Sequence, residues 1–347
     1  MSYNRVTTPR AYMDRLSFDV ATGRRTVSSN YSIIQDDGST AVTFDGGQFE
    51  DLFDMRPSNY VTIAHDTKQF FIDIDTGMSS DTTAEANFLA ILGHNFHTVD
   101  AVFNVWHDDD VNFGSATNVA ASSAPTNVIN GEEDSNDAYV DPAANGWTLI
   151  TWANNNTDNR YYRIIISDNT GTGSNFGSDV KIGSIMLGEY IDFPSSPSMA
   201  LSFNVDYDGS KLITSAGGST FAQASSLGSP QWASTNPWAL STEDTQAYKS
   251  SAHYGRRKYN MNFSHVADTD LFLSNMRDNQ DMIDGSDLYS QFFAKSLGIH
   301  QPFLFTIDKD STSESDYGLF RLANGGLQTQ QVSYRTWDTS ISLVEHW

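Results

Sequence analysis

The chain of 347 residues contains no cysteine. This absence excludes disulfide bonds, thiolate nucleophiles, iron–sulfur centres and cysteine-ligated zinc. The chain is also poor in glutamate and lysine, with 8 Glu against 35 Asp and 7 Lys against 13 Arg. Glutamate and lysine are typical of helix surfaces, whereas aspartate favours turns and caps. The imbalance therefore argues against a mainly helical protein.

Positive charge is scarce as well, since 43 acidic and 20 basic residues give a formal net charge of −23. A chain this acidic repels the phosphate backbone, so we expect no nucleic-acid partner. No run approaches the roughly 18 apolar residues of a membrane span. Residues 1–14 lack the apolar segment of a secretory signal. We therefore expect synthesis in the cytoplasm and no membrane insertion.

The patterns that are present predict β structure. Short β-branched and aromatic runs separated by turn residues are typical of a sandwich or jelly roll, which we expect over residues 59–193. Residues 112–145, rich in small and polar residues, predict a long surface loop. Residues 1–58 hold few apolar runs and predict an extended N-terminal arm, on its own domain or a neighbouring subunit, with an ordinary first hairpin as the alternative. The candidate strands cover residues 60–64, 69–75, 87–92, 100–106, 147–152, 160–167 and 180–190.

Residues 194–347, which follow a proline-rich boundary, predict a second β-rich domain of the barrel or sandwich type. From Lys258 to Val266 the residues alternate, with Tyr259, Met261, Phe263 and His265 expected on one face. Two short helices are expected over residues 270–277 and 288–297, the second ended by a glycine. Further strands are expected over residues 199–205, 301–307, 317–322 and 330–344. The predicted fold class is mainly β, a jelly-roll or β-sandwich domain followed by a β-rich domain with a short helix pair.

No motif identifies a catalytic, cofactor or metal site, and we predict none. The acidic turn at 107–110 has oxygen ligands that suit calcium, but a solvated loop is the favoured interpretation. His94 and His97 are spaced i, i+3, yet strand–turn backbone does not bring such a pair together. The glycine-rich stretch at 171–177 lacks the helix of a dinucleotide site. The one dense basic cluster, Arg256, Arg257 and Lys258, is a candidate subunit contact, with a solvated strand entry as the alternative.

Several short sequence strings follow one another along the chain in a characteristic order. They are Met1-Ser2-Tyr3-Asn4-Arg5, Ile91-Leu92-Gly93-His94-Asn95-Phe96, Tyr161-Tyr162-Arg163-Ile164, Ile182-Gly183-Ser184-Ile185-Met186-Leu187-Gly188-Glu189-Tyr190, Tyr254-Gly255-Arg256-Arg257-Lys258, Gln301-Pro302-Phe303-Leu304-Phe305 and the final Trp347. This order resembles minor structural or tail proteins of tailed phages, especially those of marine bacteria. The likeness covers most of the chain beyond about residue 60.

The resemblance implies a virion protein of the distal-tail or tail-tip type, made in the cytoplasm of a bacterial host. It implies a discoidin-type jelly roll in the central part and a ring-forming domain at the end. The expected partners are copies of the same chain in a six-fold or three-fold ring and other phage tail proteins. No catalytic residue transfers from such a family.

Two other functions stay open from the sequence. One is a carbohydrate-binding module that adheres to host surface glycans, with Trp106, Trp147 or Trp152 stacking on sugars, although burial of these tryptophans is the favoured interpretation. The other is a hydrolase of the cell envelope, which no residue set in the sequence supports.

Overall fold

The computed structural model describes residues 7–38, 40–77, 86–119, 127–134, 139–152, 159–169, 175–199, 201–206, 210–224, 256–272 and 287–346. The strands up to residue 192 are β1 (Arg10–Asp14), β2 (Tyr31–Gln35), β3 (Phe44–Gly46), β4 (Val61–Ile63), β5 (Phe70–Asp75), β6 (Phe88–His94), β7 (Ala101–Asp108), β8 (Thr117–Asn118), β9 (Asn127–Ile129), β10 (Gly131–Asp134), β11 (Tyr139–Pro142), β12 (Gly146–Thr151), β13 (Tyr161–Asp168), β14 (Val180–Ile182) and β15 (Ser184–Asp192). The later strands are β16 (Ser202–Asp206), β17 (Ser210–Thr214), β18 (Thr220–Ala224), β19 (Arg256–Ala267), β20 (Phe303–Thr306), β21 (Tyr317–Leu322), β22 (Gln328–Ser333) and β23 (Thr336–Glu345).

The described helices are all short. They are α1 (Arg15–Ala21), α2 (Val27–Asn30), α3 (Phe96–Val99), α4 (Asp268–Leu271), 3₁₀ helices at Phe49–Phe53 and Glu314–Asp316, and a π-helix at Tyr289–Ala294. In the ranges given above, none of these is long and apolar enough to cross a membrane. The mainly β fold class is confirmed.

Two antiparallel sheets face each other over the first part of the chain. One has the order β10–β11–β7–β13–β5–β2, with β8 paired to β7. The other has the order β1–β15–β6–β12–β9 and belongs to an 11-stranded sheet. Strand β5 buries Phe70, Ile72 and Ile74 and leaves the residues between them half-buried. Because side chains on a strand point alternately to opposite faces, this sequence pattern forms a sandwich core.

The second part of the chain continues the 11-stranded sheet in the order β16–β19–β23–β21–β20, with β22 paired to β23. On β19 the expected alternation places Tyr259, Met261 and Phe263 in the core. His265 does not share that face, contrary to expectation. A register shift between Phe263 and Val266 and a φ of 62° at His265 turn its side chain to solvent.

A short helix occurs at each of the two expected positions. The first begins at Asp268 and ends at Leu271, and residues 273–277 of the expected helix lie outside the described residues. In the second, the Phe292 ring packs edge-on against Phe303 at 5.0 Å. Gly298 follows with a φ of 67°, a conformation that suits glycine and ends the helical turn.

The described residues of the N-terminal segment are part of the body and do not form an extended arm. Strand β1 lies inside the long sheet, between β15 and β20. At its end, Asp14 caps α1, and its carboxylate accepts the backbone N–H groups of Leu16, Ser17 and Leu187. The Nε2 of Gln301 donates to the Asp14 carbonyl. Burial raises the pKa of the Asp14 carboxyl to about 6. The arm expected over 1–58 is therefore wrong for its described residues, because their apolar side chains are needed in the core.

Two further expectations need correction. The expected surface loop at 112–145 contains strands β8 to β11 and buries Val119, Ile129 and Val140. The expected single strand at 330–344 is a hairpin, because Arg335 adopts a φ of 56° and turns the chain between β22 and β23. The divisions after residues 58 and 193 stay predictions.

Candidate functional site

The basic cluster lies at the start of β19, where that strand meets the C-terminal strand. The Arg257 guanidinium donates to Glu345 Oε1 through Nε at 3.0 Å and Nη2 at 2.8 Å, and the Arg257 backbone N–H donates to Oε2 at 2.9 Å. The same guanidinium donates to the carbonyls of Ser315 and Tyr317. The Glu345 side chain is 1% exposed. Arg257 therefore ties β19 to β23 and to the segment that enters β21.

Its two neighbours also interact within the chain. Lys258 Nζ lies 2.6 Å from Asp206 Oδ2 on β16, in an exposed pair. Arg256 lies near His346, and burial together with the positive charges of Arg321 and Arg256 lowers the pKa of the His346 ring to about 4. The cluster thus has an internal role at the junction of three strands. Its role as a subunit contact stays a prediction.

The carboxylates of the acidic turn after β7 accept hydrogen bonds from their own loop. The Asp108 carboxylate accepts the backbone N–H groups of Asp110 and Ser115, and Asp110 accepts from the backbone and side chain of Asn112. These carboxylates satisfy amides of their own loop. Across the described ranges, no group of three or more histidine or acidic side chains is placed to hold a metal ion.

The two neighbouring histidines have separate partners. His94 is buried, stacks on Phe96 with ring centroids 4.6 Å apart, and its Nε2 lies 3.0 Å from Thr148 Oγ1. Burial lowers the pKa of the His94 imidazole to about 3, so the ring is neutral at pH 7. His97 Nδ1 lies 3.2 Å from the Pro142 carbonyl instead. Both rings are accounted for by local packing and capping.

Two of the three tryptophans considered for sugar stacking are internal. Trp147 is fully buried and packs against Tyr317, and Trp152 is 6% exposed. Because a sugar must reach the face of the ring to stack, neither residue can serve that role in this fold. Trp106 on β7 is half-buried. The glycine-rich stretch lies partly outside the described residues, which resume at 175.

A group of exposed apolar side chains lies on a segment for which the sequence pattern predicted no strand. Strands β17 and β18 form a hairpin of their own, apart from the large sheets. Leu212, Ile213 and Phe221 on this hairpin are 75%, 58% and 61% exposed. From Lys211 to Ala222 every residue except Ser215 is exposed. The alternating residues on both sides of Gly217-Gly218 could have predicted the hairpin. They could not have predicted that its apolar side chains are exposed.

Both faces of the hairpin carry an exposed apolar side chain. Directly paired residues point to the same face of an antiparallel ribbon. Ile213 pairs with Phe221, so these two share one face, and Leu212 pairs with Ala222 on the opposite face. Residues 210–224 include no acidic residue. We call residues 210–224 the projecting hairpin.

Exposed apolar side chains as a whole are concentrated in the second part of the chain. Among the described residues, nine of the eleven large exposed hydrophobic side chains follow residue 193. Val332 and Tyr334, near the turn between β22 and β23, are 43% and 86% exposed. The segment 317–337 also contains no acidic residue, although the whole chain carries 43. The projecting hairpin and the segment 317–337 thus carry exposed apolar side chains and no acidic residue of their own.

No protein-family model matches the sequence. No curated protein matches it. Among solved structures, the chain is similar to a chitosan-binding module of a Paenibacillus sp. IK-5 chitosanase/glucanase, with 10% identity over 51% of this chain and 100% of that one and a TM-score of 0.31. It is also similar to the Clostridium perfringens protein CpGH89CBM32-4, with 12% identity over 44% of this chain and 96% of that one and a TM-score of 0.26. Likeness at this level does not extend to function.

Proposed function

We propose that this chain is a structural component of a phage tail, a ring protein of the distal-tail or tail-tip type that acts through contacts between its copies. The observation that carries the proposal is the exposed apolar surface of the second part of the chain. Soluble monomers seldom leave several large apolar side chains uncovered on one projecting element. Covering Leu212, Ile213 and Phe221 would stabilise an assembly by on the order of 1–2 kcal/mol for each side chain.

The distribution of charge supports the same proposal. Copies that each carry a net charge of −23 repel one another over most of their surface. Contact between copies is least opposed where acidic residues are absent, and the projecting hairpin carries none. The exposed apolar side chains and the distribution of charge support assembly between copies. The assignment of that assembly to a phage tail depends on the resemblance in the order of the short sequence strings.

Size and shape of the purified protein test this proposal. Mass photometry over a concentration series, followed by negative-stain electron microscopy, should give a closed ring with six or three copies. Antibodies against the chain should label the tail end of intact virions. A protein that stays monomeric up to tens of micromolar and is absent from purified particles would contradict the proposal.

A second candidate function is adhesion to neutral host glycans, and one surface feature favours it. A shallow groove of about 420 Å³ lies between β19, β22 and β23. Its lining includes the amides of Asn262, Gln328 and Gln330 and the hydroxyl of Ser340, with Asp338 as the one carboxylate among the lining residues. Amides and hydroxyls can both donate to and accept from sugar hydroxyls. A glycan array with wild-type protein and Asn262→Ala tests this, and binding unaffected by that substitution would rule out the groove.

A further inference from the structure

Both faces of the projecting hairpin carry apolar side chains that are exposed in the single chain. A two-stranded ribbon that packs on a body normally has one apolar face and one polar face. Here Ile213 and Phe221 are exposed on one face and Leu212 on the other. An isolated two-stranded hairpin is also only marginally stable in water. Cover on one face alone would leave either Leu212 or the Ile213–Phe221 pair in water.

The two strands of the hairpin are hydrogen-bonded to each other along their inner edges, and its exposed apolar side chains are what each face offers to a partner. Five residue pairs join β17 to β18. At the tip, Ser215 N donates to the Ser219 carbonyl at 2.8 Å and Gly218 N to the Ser215 carbonyl at 2.9 Å. Gly218 supplies the φ of 83° that this turn requires.

Charge distinguishes two ways in which copies can meet. Lys211 is two residues before Ile213 and therefore lies on the same face as Ile213 and Phe221. In a two-fold contact between two hairpins through that face, the positively charged Lys211 side chains of both copies would share one interface. The Leu212 face would stay exposed to water. A contact with the acidic body of another copy would instead bring Lys211 near carboxylates.

We infer that the projecting hairpin inserts into a neighbouring copy of this chain and is buried there on both faces, so that the contacts run head to tail. Head-to-tail contacts close into a ring when the rotation between copies allows it. This inference rests on the proposed function, since it identifies the element through which the ring would form.

Separate variants of the two faces test the inference. Leu212→Ser changes one face, and Ile213→Ser with Phe221→Ser changes the other. Each should raise the concentration at half-assembly by at least about tenfold in mass photometry. Lys211→Glu should weaken assembly at low salt and less so at high salt. Val111→Ser, at a side chain that is 57% exposed in the first part of the chain, is the matched control and should change nothing.

A mixing experiment tests the direction of the contact. A tagged Ile213→Ser/Phe221→Ser chain loses its own hairpin face but keeps the surface that receives a hairpin. Head-to-tail contact therefore predicts that it still retains untagged wild-type chain on a resin, whereas a two-fold hairpin contact predicts loss of retention.

The outcomes separate the two proposals. If wild-type protein assembles and all the hairpin variants assemble equally well, this inference is overturned and the proposed function stands. If the variants lower the melting temperature of the monomer without changing assembly, the hairpin is covered by its own chain and the inference fails. If wild-type protein never assembles, the proposed function fails and the inference fails with it.

Discussion

Replacement of Glu345 by glutamine should strongly destabilise the protein. The Glu345 carboxylate is 1% exposed and accepts three N–H groups of Arg257, two from the guanidinium and one from the backbone. In Glu345→Gln the side chain keeps its size, but one acceptor oxygen becomes an NH₂ donor. The Arg257 cation, with a side chain that is 16% exposed, then loses its neutralising partner.

The expected cost follows from the burial of the pair. Removal of one partner from a buried ion pair costs about 3–5 kcal/mol, because the remaining charge is left without compensation. Arg257 retains the carbonyls of Ser315 and Tyr317, so the lower end of that range applies, about 3 kcal/mol. The exposed Lys258–Asp206 pair provides a contrast within the same cluster, and Lys258→Ala should cost less than about 1 kcal/mol.

Urea denaturation of the three proteins at pH 7 measures these costs, with the slope of each curve checked for equality. A double-mutant cycle with Arg257→Met then isolates the interaction, because the double variant Arg257→Met/Glu345→Gln should be less destabilised than the sum of the single variants. If Glu345→Gln unfolds within about 1 kcal/mol of wild type, the buried pair is not a structural tie.

Two further predictions concern the first part of the chain. Because burial lowers the pKa of His94 from 6.5 to about 3, the unfolded state binds more protons than the folded state between these values, and stability is lost as the pH falls from about 6.5. His94→Gln should recover about 2–3 kcal/mol of the loss between pH 7.5 and 4.5, and parallel curves for the two proteins would contradict this. In Gly188→Ala the new Cβ would collide with the Met13 carbonyl and lie 3.0 Å from Arg15 N, so unfolding should become easier by about 1–3 kcal/mol or more. Gly177→Ala, where no atom lies within 4 Å of the new Cβ, should be nearly neutral in the same melts.

The strands with a strong local pattern could be predicted from sequence. Residues 69–75 and 160–167 are rich in β-branched and aromatic residues that partly alternate with polar ones, and β5 and β13 form there and pair with each other. Strand β1 could not be found this way. Its three apolar residues, Ala11 to Met13, are too few for a period, and its partners lie some 180 and 290 residues away in sequence. This segment forms a strand because it fills the position between β15 and β20 in the sheet. The residues next to it in sequence give no signal of that position.

The same limit applied to the candidate site. The basic cluster at 256–258 was visible in the sequence, but the partner of Arg257 is 88 residues away in a strand that was not expected to reach it. Trp147 and Phe221 are both aromatic residues on short strands, yet the first is buried and the second is exposed. Only the position of each strand relative to a second layer decides which of them is covered.

The position of β1 also predicts how the whole chain unfolds. Strand β1 is hydrogen-bonded to β15 on one side and to β20 on the other, so a single sheet passes through both parts of the chain. One buried cluster contains Tyr12 from β1, Phe88 and Trp147 from the first part, and Tyr317 and Leu319 from the second. If either part unfolded alone, it would expose this cluster and an edge of the other part. We therefore expect one calorimetric transition, with tryptophan fluorescence and far-ultraviolet circular dichroism changing together. Two well-separated transitions would show instead that the boundary after residue 193 divides independently stable domains, and that β1 belongs energetically to only one of them.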